Sequence, residues 1–126
     1  ERPRSLADME DLPGMGSTYI SLRGITVDEL ARMRAACEEF QLIDIREPYE
    51  AELCTLGGTL IPMGEVTERL AEIRRDIPVI MHCRSGNRGA ALVQALSSRY
   101  GFTNLANLRG GITAWQQGME PGLNCD

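Results

Sequence analysis

The sequence predicts an α/β domain in which a mostly parallel, five-stranded sheet is covered by helices on both faces. Short apolar runs alternate with segments of helical period along the chain, and most of those runs are apolar throughout, as in a sheet buried on both sides. Glycine-bearing turns separate strand from helix. In such folds ligands sit at the carboxyl ends of strands.

Residues 1–19 combine Pro13, Gly14 and Gly16 with charges and carry no apolar period, which reads as a linker or flexible arm before a domain over 20–126. Ile20 to Ile25 alternates weakly, as an edge strand does. Thr26-Val-Asp-Glu29 is a capping box that opens a helix to about Cys37, with Val27, Leu30 and Ala31 facing the core. Gln41 to Ile45 is a short strand, and Glu47 to Leu53 a brief helix with Pro48 in its first turn. Gly57-Gly58 turns into a strand over Thr59 to Ile61, stopped by Pro62. Val66, Leu70 and Ile73, at spacings of four and three, predict another helix. Val79 to His82 is strand. Gly89 to Tyr100 is helix, with Arg99 in its last turn and Gly101 as its stop, and Asn104 to Leu108 is the final strand. A last helix follows Gly110-Gly111.

Composition excludes several functions. At 126 residues and 43% hydrophobic the chain suits one domain that needs no disulfide staples, and no apolar run is long enough to span a membrane. A net charge of −5 argues against nucleic acid as a partner. All thirteen basic residues are Arg, which removes Schiff-base chemistry and the phosphate-binding lysine of a P-loop. Gly14-Met-Gly16 fails the dinucleotide pattern, because Tyr19 stands where the third glycine belongs. Cys37, Cys54, Cys83 and Cys125 show no C-x-x-C pairing and share one His, so no metal and no cofactor is expected, and reduced thiols in a cytoplasm are.

The chemistry concentrates at Cys83, where the apolar strand ends and a helix begins. A helix start offers unpaired N–H groups and partial positive charge, which favour an anion, and Arg84 and Arg88 flank the thiol. His82 is the only histidine, and adjacent strand residues point to opposite faces, so a Cys-His dyad is disfavoured. The loop itself must make the thiolate. An acidic body around a basic loop implies a small anionic ligand.

The run Cys83-Arg-Ser-Gly-Asn-Arg88 resembles the six-residue active loop of rhodanese-like sulfurtransferases. Leu42-Ile-Asp-Ile-Arg-Glu-Pro48 looks like that family's Asp-Val-Arg-Glu-Pro segment, and Leu108-Arg-Gly-Gly-Ile-Thr-Ala-Trp115 like its Gly-Gly-x-x-Ala-Trp signature. The resemblance implies the three-layer fold of the family, with Cys83 carrying sulfane sulfur as a persulfide. Arg84 and Arg88 would attract a donor such as thiosulfate, while Ser85, Gly86 and Asn87 present backbone N–H groups. Asp44 and Arg46 match positions that brace the site, although a structural hydrogen-bond network explains them equally well. Trp115 reads as core.

The Gly-His pair that many rhodaneses carry before the third strand is missing from Leu53-Cys-Thr-Leu-Gly-Gly-Thr-Leu-Ile-Pro62. That wording, followed by Gly64-Glu65-Val66, is similar to rhodanese domains joined to the C-terminus of ubiquitin-activating-like adenylyltransferases. The resemblance implies an adenylyltransferase upstream and a sulfur carrier protein as acceptor, with thiosulfate or a protein persulfide as donor. Cys54 and Cys125 are read as incidental rather than resolving thiols. The competing functions are a non-catalytic rhodanese-like binding module and a cysteine phosphatase. The related phosphatases place five residues between Cys and Arg, whereas four lie between Cys83 and Arg88.

Overall fold

The computed structural model describes residues 24–125, so the expected arm over 1–19 lies outside the described residues. Four parallel strands, β1 (Gln41–Asp44), β2 (Thr59–Leu60), β3 (Val79–His82) and β4 (Leu105–Asn107), stand in the order β2-β1-β3-β4. Asp44 is level with His82 across β1 and β3, and Met81 with Asn107 across β3 and β4. The expected first strand contributes one parallel bridge, Ile25 to Leu108, at the β4 edge. Thr26 caps a helix at the next residue, which ends pairing there, and Ile20 to Arg23 lie outside the described residues.

Helices α1 (Val27–Ala35), α2 (Pro48–Leu53), α3 (Asn87–Tyr100) and α4 (Gly111–Gly118) complete the layers. The capping box of α1 closes as its sequence predicts: the Glu29 amide donates to Thr26 Oγ1 at 3.1 Å, and the Thr26 amide to Glu29 Oε1 at 2.8 Å. At α2 the Glu47 amide donates to Glu50 Oε1 at 2.9 Å, and Pro48 occupies the first helical position, where its missing N–H costs nothing.

Strand alternation divides the core. Val79, Met81 and Cys83 face a cluster with Leu92, Val93 and Leu96 of α3. Ile80 faces the opposite cluster, with Leu30 and Met33 of α1 and Ile112 and Trp115 of α4. Each fully buried aliphatic side chain contributes roughly 1.5–3 kcal/mol, so the two faces hold the sheet level and fix where β3 ends.

The helix expected around Val66 is instead a pair of 3₁₀ segments, Met63–Glu68 and Leu70–Glu72. Val66 and Ile73 are buried as expected, but the bonds span three residues: Arg69 N to Val66 O at 3.0 Å and Ile73 N to Leu70 O at 3.1 Å. Gly64 and the β-branched Val66 and Thr67 are weak α-formers, and Arg69, at φ −125°, breaks the run.

The cysteines depart from the reduced, unpaired state expected of them. Cys54, at the end of α2, and Cys125 form a disulfide across a sequence separation of 71, with Cα atoms 5.0 Å apart. The segment after α4 folds back to allow this: the Met119 and Glu120 amides both donate to Trp115 O, and Met119, Leu123 and Cys125 pack on the α1 and α4 face. Cys37, exposed, and Cys83, buried, are free. Among the described residues no helix is long and apolar enough to cross a membrane, and no group of three or more His, Cys, Asp or Glu could hold a metal ion.

Candidate active site

Four consecutive buried residues carry β3 straight through the core and leave Cys83 at its carboxyl end. The chain then folds over the sulfur. The Gly86 amide donates to Cys83 Sγ at 3.0 Å and the Gly89 amide at 3.4 Å, so the sulfur takes the place of an N-cap oxygen on α3. Gly86 sits at φ +103°, and a Cβ there would lie 2.8 Å from the Gly110 nitrogen, so only glycine fits. Asn107 Nδ2 donates to Gly86 O at 3.2 Å and ties the loop to the end of β4.

A second turn supports the loop from outside. The Ile112 amide donates to Cys83 O and the Thr113 amide to Arg84 O, each at 3.0 Å, so the first turn of α4 satisfies two carbonyls of the active loop. Gly111, at φ +59°, allows that approach, since a Cβ would stand 2.5 Å from both carbonyl oxygens. The Gly-Gly of the Leu108 to Trp115 motif is therefore part of the loop's scaffold.

The predicted site residues fall into two groups. Cys83, Arg84, Ser85, Gly86, Asn87 and Arg88 are consecutive in the loop; of the predicted residues only Gly86 is seen on the sulfur, which is wholly buried while Arg84, Ser85 and Asn87 are exposed. Asp44 and Arg46 form a separate buried unit. Arg46 Nε and Nη2 grip the two Asp44 carboxylate oxygens at 2.9 and 2.7 Å, and Nη2 also donates to Cys54 O at 2.7 Å. Arg46 Nη1 lies 3.7 Å from Cys54 Sγ. The pair thereby ties the Cys54 carbonyl, at the end of α2, to the end of β1. Burial by itself would raise the Asp44 pKa, but the Arg46 hydrogen bonds and the nearby His82 outweigh it and leave it lowered.

His82 is a wholly buried strand residue, and neither of its ring nitrogens has a hydrogen-bond partner among the described residues. Burial lowers its pKa; the Asp44 charge opposes this, and Arg46 and Arg34 add to it. Trp115 is core, with the Arg34 guanidinium 5.2 Å from its ring centroid.

Sequence reasoning missed Glu50 and Asn107. Glu50 is buried on α2, and its two carboxylate oxygens face Arg88 Nη1 and Nη2, each at 3.5 Å. Burial opposes its ionisation, but the Glu47 amide and Arg88 more than offset that, so its pKa is lowered and it stands as a carboxylate at neutral pH. The Glu-x-x-Glu spacing from Glu47 was a legible capping signal. Nothing in the sequence pointed from there to Arg88.

A rhodanese-like domain model matches residues 26–118. A sulfurtransferase of Allochromatium vinosum is 36% identical over 92 residues, covering 72% of this chain and 85% of that protein. The probable adenylyltransferase/sulfurtransferase MoeZ of Mycobacterium tuberculosis is 32% identical over 102 residues. That match covers 79% of this chain but only 26% of MoeZ. Among solved structures, a rhodanese-related protein of Thermoplasma volcanium superimposes with a TM-score of 0.68 at 30% identity, covering 79% of this chain and 95% of that one.

Proposed function

Because the chain belongs to the rhodanese-like domain family, we propose that it is a sulfurtransferase carrying sulfane sulfur as a persulfide on Cys83. The observation that carries this reading is the pair of loop amides, Gly86 and Gly89, aimed at Cys83 Sγ. Such donors stabilise negative charge on sulfur without a histidine base, and His82 packs on the other side of β3.

With thiosulfate, the Cys83 thiolate attacks the outer sulfur, the sulfur–sulfur bond breaks, and sulfite leaves with its electron pair. A Cys83 persulfide anion remains. An acceptor thiolate then attacks the terminal sulfur, forming its own persulfide and restoring the Cys83 thiolate. Arg84 and Arg88 draw the anionic donor to the loop, and the amides of Gly86 and Gly89 face the charge on sulfur. Asp44 and Arg46 brace the neighbouring end of α2. Likeness to MoeZ supports an adenylyltransferase as partner. Toward an adenylated sulfur carrier protein the Cys83 persulfide is itself the nucleophile: its terminal sulfur attacks the acyl carbon, AMP leaves, and an external thiol opens the resulting Cys83 acyl disulfide to a thiocarboxylate and a mixed disulfide.

Intact-mass measurement after incubation with thiosulfate tests the reading. Wild type should gain one sulfur atom and lose it to a thiol acceptor, and Cys83→Ala should gain none. An adduct that survives the substitution, or a wild type that acquires no sulfur, would refute it.

A further inference from the structure

The active loop carries two arginines, and among the described residues only one of them faces a carboxylate. Arg84 is exposed and makes no ion pair among the described residues. Arg88, 39% exposed at its side chain, faces the Glu50 carboxylate through both terminal nitrogens. Among the described residues, the loop's two arginines less the one carboxylate that faces them leave a single positive charge at the rim. Nearby Asp44 and Arg46 cancel each other in their own buried pair. Cys83 lies below this rim, so a donor meets the rim's charge before it meets the sulfur.

We infer that Glu50 is a specificity-determining residue: by offsetting Arg88 it matches the loop to sulfur donors bearing one negative charge, such as an alkyl or protein persulfide, and against free dianions such as thiosulfate. The inference rests on the sulfurtransferase reading and names its donor class. Glu50 acts through Arg88 and does not touch the reacting sulfur. The contact suits a tunable role, since 3.5 Å is at the long limit for a charge-assisted hydrogen bond and Arg88 stays free to turn toward a ligand.

The charge dependence can be read with two donors of similar shape, thiosulfate, a dianion, and methanethiosulfonate, a monoanion. Glu50→Gln removes the charge but keeps an oxygen to accept from the Glu47 amide, so the α2 cap survives. Coulomb energy scales with ligand charge, so a KM for thiosulfate that falls roughly ten-fold should be accompanied by a roughly three-fold fall for methanethiosulfonate, with kcat unchanged. Glu50→Asp, which keeps the charge, should retain the wild-type ratio of the two KM values. Equal changes for both donors, no change for either, or an effect confined to kcat would overturn the inference while leaving Cys83 as the carrier. A wild type that takes sulfur from neither donor would instead bring down the sulfurtransferase reading, and this inference with it.

Discussion

Cutting the Cys54–Cys125 link tests the architecture and the chemistry together. The bond closes a loop with a sequence separation of 71, for which restriction of the unfolded chain is worth about 4 kcal/mol. For a domain of this size that corresponds to a fall of roughly 15 °C in Tm. Cys125→Ser should therefore melt well below wild type in circular dichroism, and a phosphine reductant should bring wild type down to the variant while leaving the variant unmoved. Once the phosphine has been removed, since it would itself take sulfur from a persulfide, sulfur loading of Cys83 in the cold should survive both treatments. Cys54 and Cys125 pack with the α1 and α4 face and Cys83 with the α3 face, so the sheet separates the two sulfur centres. A variant that melts with wild type would refute the cross-link. A Cys54 to Cys83 mixed disulfide during turnover would refute the separation of faces.

Stability should fall with acid. The folded-state pKa of His82 lies below its ordinary value of 6.5, so as pH drops through that value the unfolded chain binds the proton first, and stability declines by at most about 1.4 kcal/mol per pH unit. Asp44, also lowered, adds a second loss below its ordinary value of 3.8. Urea midpoints between about pH 5 and pH 8 should slope for wild type and flatten for His82→Met; equal slopes would count against His82 as the titrating group. Gly111→Ala should cost about 2–5 kcal/mol, from a left-handed backbone and a Cβ against the Cys83 and Arg84 carbonyls, and should slow Cys83 loading. An alanine variant with wild-type Tm and loading rate would show that the α4 turn does not support the loop.

Much of the fold was legible because it is written in local signals. The Thr26-to-Glu29 box, Pro48 at a helix start and Gly101 at φ +73° each act within one turn of chain, and each fell where the sequence placed it. The 3₁₀ pair around Arg69 was misread because Val66 and Ile73 are buried in either helix type, and periodicity over so few residues does not fix the hydrogen-bond register. The strand-to-helix junction at Cys83 was legible for the same local reason. The partners of that loop were not: Glu50 meets Arg88 across 38 positions, and Cys54 meets Cys125 across 71. No spacing rule connects such residues until the sheet brings them together.

The long-range contacts also decide why two distant motifs serve one site. A loop that turns its amides inward toward Cys83 Sγ must turn carbonyls outward, and a buried carbonyl without a donor costs roughly 1–3 kcal/mol. The Ile112 and Thr113 amides remove that cost for Cys83 and Arg84, and they are available because the first N–H groups of a helix have no partner within it. The α4 start is thus used as a donor to the loop's outer side, and the α3 start as a donor to the sulfur on its inner side. The loop over Cys83 therefore depends on Gly110 and Gly111 as well as on its own Gly86, although neither touches the sulfur.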